Sequence, residues 1–200
     1  FDYSQQEPRL VVHYASLDQD TSVYNVKEAY DDGNADFHTI VAKMADIPRD
    51  QAKTINLGLF YGMGKAKLQA ELGVSKDKAE ELFSIYHERV PFVKSLTRSV
   101  SNRAQQRGQI RTLLGRLCRF HLWEPNSFGM HKALPFDQAV QEHGPGIKRA
   151  YTYKALNKLI QGSAADMTKK CMLELYKEGI VAHIQVHDEL DISVEDDKQA

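Results

Sequence analysis

The chain has 200 residues, of which 42% are hydrophobic, 9% aromatic and 26% charged, with a net charge of -1. That is globular composition, enough for one or two domains with a real core, and it carries none of the biases of collagen-like, low-complexity or disulfide-scaffold chains. No apolar run is long enough to span a bilayer, and no basic-then-apolar opening marks a secretory signal.

Leu10, Val11, Tyr14 and Leu17 recur at helical spacing, with Pro8 acceptable in a first turn. Residues 36–46 read as a short helix. Pro48 just inside a start and Gly62 just past an end bracket a further helix of about three to four turns. Ser75 is the expected N-cap of the next helix, and Pro91 separates it from another that runs to Gly108. Residues 109–121 read as a hairpin around Leu114-Gly115. The stretch from Trp123 to Gly146, with three prolines and three glycines, reads as irregular. A long helix is expected from about Lys148 to Lys177, stopping at Gly179. Ile184 and Val186, then Leu190, Ile192 and Val194, alternate about His187-Asp188, which makes a hairpin with polar residues at its tip. The fold class is therefore α+β and mostly helical, with few strands, near the two ends, pairing with each other or with sequence outside the segment.

The near-neutral total hides segregated charge. Asp18 to Asp36 holds six acids and one base, and Arg103 to Arg119 five arginines and no acid. Lys148 to Lys170 holds six bases and one acid, and Asp188 to Lys198 six acids and one base. Such runs are ordinarily solvated helix faces, but they also leave room for basic stripes that track a polyanion. Cys118 and Cys171 are too far apart for a zinc pattern and too few for a disulfide framework, so they read as packing residues in a reducing cytoplasm. The remaining histidines (13, 87, 121, 131, 143 and 183) have no metal-ligand spacing.

Two carboxylates stand where a core would not want them: Asp2, at a strand-to-helix turn, and Asp188, at the hairpin tip. Each reads as a turn residue or as a ligand to a hard divalent cation, because Mg²⁺ prefers carboxylate and water oxygens shared with substrate phosphates. Two such metals would stabilise both the attacking and the leaving oxygen of a phosphoryl transfer. After Pro48, Arg49, Lys53, Leu57 and Tyr61 recur every four residues along one slowly drifting helix face. The stripe reads as a surface with a buried Tyr61, or as a triphosphate site whose cations add to the helix dipole and whose aromatic stacks on a base.

Ordered motifs then coincide with a known pattern. Asp2-Tyr3-Ser4-Gln5-Gln6-Glu7-Pro8-Arg9 resembles motif A of family A DNA polymerases, the bacterial DNA polymerase I group. Arg49-x3-Lys53-x3-Leu57-x3-Tyr61-Gly62 resembles motif B, and Gln185-Val186-His187-Asp188-Glu189-Leu190 motif C. Between them, in family order, lie Arg111-Thr112-Leu113-Leu114-Gly115-Arg116 and Asn157-x3-Gln161-Gly162-Ser163-Ala164-Ala165-Asp166. The resemblance covers nearly the whole chain, and the segment from Tyr151 to Met167 is closest in wording to phage members.

The resemblance implies a role for each matched residue. By it, Asp2 and Asp188 bind two Mg²⁺ ions, with the backbone carbonyl of Tyr3 as a further ligand and Glu189 as a weaker candidate. Arg49, Lys53 and His38 hold the triphosphate, with Lys53 also counted as catalytic. Tyr61 stacks near the templating position, Gln5 supports it, and Leu57 lies in the nucleotide site. Arg9, Gly62, Asn157, Gln161 and His187 contact or position the primer–template. Glu7 is the steric gate against a 2′-hydroxyl. Its other reading is a capping box with Ser4, which Pro8 opposes because with Ser4 as N-cap the first intrahelical hydrogen bond would need an N–H from residue 8. Water or a general route takes the 3′-OH proton.

The implied activity is template-directed addition of dNTPs to a primer 3′-OH with release of pyrophosphate, in phage DNA replication, with location in the host cytoplasm if phage-encoded. By the same resemblance, residues 1–10 are palm with motif A, and residues 11–182 are fingers, with the motif B helix at about 48–62 and the long helix at about 148–178. Residues 183–200 are the palm hairpin with motif C. Thumb, exonuclease and the rest of the palm lie outside the segment, as would the site of any accessory processivity factor, and the segment alone is expected to be incomplete for catalysis. Primer–template DNA and dNTPs are the expected partners, with no membrane.

Some positions depart from the family. Leu57 stands where an aromatic residue is usual, Pro8 where leucine is common, Tyr153-Lys154 where cellular members carry an arginine, and residues 120–147 form a longer stretch than theirs. The alternatives are a single-subunit RNA polymerase, against which Glu7 and the preceding Tyr-Ser-Gln speak, a non-catalytic nucleic-acid-binding fragment, and a two-metal nuclease.

Overall fold

Pro8 decides where the first helix begins. A helix capped by Ser4 would need its first intrahelical bond from the N–H that proline lacks. The chain instead caps α1 (Gln6–Leu17) with Gln5, which leaves Pro8 in the third helical position, and Arg9 N donates to Gln5 O at 3.1 Å. The capping box with Ser4 is therefore absent. The structure, a computed structural model, describes residues 1–18, 20–32, 36–60, 63–127 and 129–194.

After a 3-10 turn at Thr21–Val23 come α2 (Tyr24–Asp31), α3 (Phe37–Ala45), α4 (Arg49–Phe60), α5 (Lys65–Leu72), α6 (Lys76–Arg89) and α7 (Pro91–Arg107). Ser75 caps α6 by accepting from Lys78 N at 3.2 Å, Pro91 opens α7, and Gly108 closes it in the left-handed region. The helices α2 and α5 carry no legible apolar stripe: Val26 and Tyr30 are buried in the first and only Leu68 in the second.

The hairpin expected around Leu114-Gly115 forms from β1 (Gln109–Arg111) and β2 (Leu117–Arg119), with Ile110 opposite Cys118. The stretch read as irregular is ordered. It contains β3 (Leu122–Pro125), β4 (Leu134–Pro135) and α8 (Phe136–His143), followed by β5 (Ile147–Arg149), in an antiparallel sheet of order β4-β3-β5. Its prolines and glycines punctuate short elements rather than prevent them: Pro125 ends β3, Pro135 precedes α8 and Gly144 follows it. Strands are therefore not confined to the two ends of the chain.

The long helix α9 (Ala155–Lys177) starts later than residue 148. Lys148 is paired with Glu124 in the sheet, and Tyr151, at φ 62, takes a left-handed backbone that no α-helix continues through. A 3-10 turn at Thr152–Lys154 then leads in.

The core lies among α1, α3, α4, α6, α7 and α9, where Val11, Phe37, Ile55, Tyr86, Phe92 and Ile160 are fully buried. Along α9, α1 runs antiparallel: Gln6 Nε2 donates to Thr168 Oγ1 at 3.4 Å, and Tyr14 Oη pairs with Ser163 Oγ at 2.8 Å. The last hairpin, β6 (Ile184–Val186) and β7 (Glu189–Asp191), pairs with the first residues of the chain. Phe1 N donates to Leu190 O at 2.8 Å, Leu190 N donates back to Phe1 O at 2.8 Å, and Asp2 bridges Glu189. Among the described residues no helix is long and apolar enough to cross a membrane.

Candidate active site

Backbone pairing brings the two motif-bearing acids together. Asp2 lies opposite Glu189 in the antiparallel bridge, and Tyr3 N donates to Asp188 O at 3.3 Å. The turn that carries Asp188 has two residues between paired Val186 and Glu189. His187 occupies it at φ 52, a conformation costly for a residue with a side chain, and Gln185 Nε2 donates to His187 O at 2.6 Å. Asp2 and Glu189 are exposed and Asp188 is half-buried, and none has a side-chain hydrogen bond or ion pair among the described residues.

Among the described residues no group of three or more His, Cys, Asp or Glu side chains is gathered for a metal. Two aspartates beside backbone carbonyls nonetheless suit Mg²⁺, which takes one or two carboxylates and completes its octahedron with water and substrate phosphate. The Tyr3 side chain turns towards α9, where burial, and then a hydrogen bond with Cys171, push its phenol pKa up.

A short relay of hydrogen bonds joins this end to the cationic helix. Gln5 sits at φ 55, and its Oε1 accepts from Phe37 N at 2.8 Å and from Tyr30 Oη at 3.0 Å. The next residue back, Asp36, caps α3 by accepting from His38 N at 3.2 Å, and also accepts from Thr39 Oγ1 at 2.6 Å and Arg49 Nε at 2.6 Å. Desolvation works against the Asp36 charge, but the bonds from Thr39 and Arg49 outweigh it and hold the carboxyl below the ordinary range.

His38 and Arg49, expected together, are thus one residue apart through Asp36. Burial lowers the His38 pKa, Asp36 opposes that fall, and Arg49 and Lys53 add to it, so both cations of α4 act on the same ring. Asn56, fully buried on α4, lies with Nδ2 3.0 Å from His38 Nδ1. Leu57 lines a cleft of about 490 Å³ with Thr54, Gly58, Met63 and Lys67. Tyr61 and Gly62 lie outside the described residues.

Arg9 Nε donates to Ser4 O at 2.9 Å, and its guanidinium stacks on Tyr30 at 4.6 Å, so its orientation is set by the turn that carries Asp2. Glu7 is half-buried in the first turn of α1. Asn157 and Gln161 share one face of α9, half-buried and exposed respectively, and ten residues of helix put Gln161 about 15 Å from Cys171, the neighbour of Tyr3.

The Arg111–Arg116 and Gly162–Asp166 motifs bind each other. Asp166, buried on α9, accepts from Thr112 Oγ1 and from Arg116 Nε, the latter at 2.8 Å. Arg116 Nη2 donates to Gly162 O at 2.7 Å, and Leu113 N to Ser163 Oγ at 3.0 Å. Sequence reasoning assigned no role to Asp36, Asn56, Thr112 or Asp166. The available signals were an acid immediately before a helix for Asp36 and a polar residue within an apolar helix face for Asn56 and Asp166.

Comparison with known proteins identifies the family. The model of DNA polymerase family A matches residues 1–200. The "DNA-directed DNA polymerase" of Pseudomonas phage M6 is 34% identical over 241 residues, covering 100% of this chain and 33% of its own. "DNA polymerase I" of Rhizobium leguminosarum is 29% identical over 212 residues, covering 98% of this chain and 18% of its own. This chain therefore spans a third or less of the length of these relatives. The POL domain of Pol1 from M. smegmatis, solved with DNA primer–template and dNTP, superposes with a TM-score of 0.69 at 30% identity over 94% of this chain and 32% of that one. The chain belongs to DNA polymerase family A.

Proposed function

We propose that these residues form the nucleotidyl-transfer centre of a template-directed DNA polymerase, which adds dNTPs to a primer 3′-OH and releases pyrophosphate in phage DNA replication. The observation that supports it is that Asp2 bridges Glu189 and Tyr3 N donates to Asp188 O, while Gln5 on the following turn accepts from Phe37 N, next to the Asp36 that holds Arg49 at the start of the cationic helix. In this reading residues 1–10 and 183–200 are palm and residues 11–182 fingers.

Asp2 and Asp188, with the Tyr3 carbonyl and more weakly Glu189, would hold two Mg²⁺ ions, which neutralise charge on the transferring phosphate when bound. The chain's own work is positioning, which is most of what phosphoryl transfer asks of a protein. Arg49, Lys53 and His38 draw the triphosphate against α4. Glu7 occupies the space of a 2′-hydroxyl, while Leu57 and Tyr61 meet the sugar and base. Arg9, Gly62, Asn157, Gln161 and His187 follow the primer–template, where minor-groove acceptors are nearly alike for every base pair and so report shape.

The test is primer extension by the full chain with Mg²⁺ beside its Asp188→Asn variant, with dNTPs and rNTPs supplied separately and DNA binding measured in parallel. Extension with dNTPs alone, abolished in the variant while DNA binding persists, is expected. DNA binding with no extension by the parent chain would favour a binding module, and primer-independent rNTP products an RNA polymerase.

A further inference from the structure

We infer that Asn56 is the positioning residue of His38: its buried side-chain amide fixes the ring and places the imidazole proton on Nε2, the nitrogen left to meet an anionic ligand. The inference rests on the reading of α3 and α4 as a triphosphate site.

Asn56 is 0% exposed and His38 8%, so water does not compete freely for their contact. Nδ2 of an amide can only donate, so at 3.0 Å from His38 Nδ1 it makes that nitrogen an acceptor, and a neutral ring must then carry its proton on Nε2. The charged groups around the ring are Asp36 at the start of α3 and Arg49 and Lys53 on α4. Burial and the two cations keep the ring neutral without a ligand, against the pull of Asp36.

The amide is otherwise a poor choice for this place. Asn56 Oδ1 is buried with no hydrogen-bond partner among the described residues, which costs free energy that a leucine of similar size would not incur. What the asparagine supplies instead is the bond to His38. The same bond sets the ring plane, so Nε2–H stays aimed, as a neutral donor, beside the two permanent cations. The device resembles the way a second ring nitrogen fixes tautomer and orientation in other histidine sites.

The test uses the full chain with ¹⁵N-labelled histidine and the variants N56L, N56D and H38A. Ring-nitrogen NMR shifts report the tautomer of His38, and single-nucleotide incorporation reports KM and kcat. Unligated parent protein should show His38 protonated on Nε2 alone. N56D, which can only accept, should move the proton to Nδ1. N56L should give mixed tautomers and a KM for dNTP raised about tenfold, the equivalent of one lost hydrogen bond, with kcat changed much less. A parent His38 protonated on Nδ1, or an N56L variant with unchanged tautomer and KM, overturns the inference. If N56L does not fold, the parent and N56D spectra decide. An H38A variant with unchanged KM would instead refute the triphosphate reading, while the tautomer result would stand by itself.

Discussion

Gly162 gives the sharpest test of how the Thr112–Asp166 contact is built. In the middle of a helix, Gly→Ala ordinarily stabilises by about 1 kcal/mol, because alanine restricts the unfolded chain and favours the helix. Here a Cβ on Gly162 would stand 2.8 Å from the Thr112 methyl, closer than carbon atoms pack, and 3.5 Å from Arg116 Nη2, which is ordinary contact. Thr112 is buried and held by Asp166, so it cannot swing away, and overpacking of this kind costs about 1–3 kcal/mol.

The expected net effect of Gly162→Ala is a destabilisation of about 1 kcal/mol, or roughly 2–4 °C in Tm for a chain of this size. Thr112→Ser keeps the hydroxyl that serves Asp166 and Arg116 but deletes the methyl. In that background Gly162→Ala should become stabilising. Thermal unfolding of the two single variants and the double variant, followed by circular dichroism, completes the cycle, with an expected coupling of about 1–3 kcal/mol. A Gly162→Ala protein more stable than its parent with Thr112 in place would refute the reasoning.

Two further outcomes rest on the same kind of accounting. Gly108→Ala meets both a left-handed backbone at φ +68 and the Arg149 guanidinium, 2.7 Å from the new Cβ, so it should destabilise by about 1–3 kcal/mol; an unchanged Tm would count against the Arg149 placement over Trp123. His38 and His87 both have pKa values lowered from 6.5, by burial first, with Asp36 opposing and Arg49 and Lys53 adding at His38, and Lys94 adding at His87. The unfolded chain then binds protons that the folded chain excludes, so this stability is complete above about pH 7 and falls as pH drops through 6.5 towards the folded values. Melts at about pH 7.5 and about pH 5.5 should show the loss, and the H38Q/H87Q variant should lose less; equal losses would refute the assignment.

What was legible in the sequence was what local chemistry controls. Ser75, Pro91 and Gly108 mark the ends of α6 and α7 because caps and ring constraints act within one turn. The sheet of β3, β4 and β5 was not legible, since its two- to four-residue strands exist only by pairing with one another and with α8. The same is true of α9, whose start is set by Lys148 pairing in the sheet and by the backbone of Tyr151.

In the candidate site the spacing of Arg49 and Lys53 and the placing of Asp2 and Asp188 pointed to chemistry, because charges at turns and on helix faces are visible as departures from a core pattern, whereas His38 entered only through the family resemblance. Their supports were not visible. Asp36 reads as a helix boundary until Arg49 is seen against it, and Asn56 reads as one polar residue in a helix until His38 is seen beside it.

The strand contact between Phe1 and Leu190 joins residues 189 positions apart. During synthesis, Asp2 would emerge long before its partner: at about 5–20 residues per second, Asp188 comes after it by roughly 10–40 s. Throughout that interval α1 and the helices after it can settle on one another, yet Asp2 faces no second acid. The two acids therefore meet only after the helices between them have been made, and a chain stopped short of Asp188 would carry the cationic helix α4 without the second carboxylate.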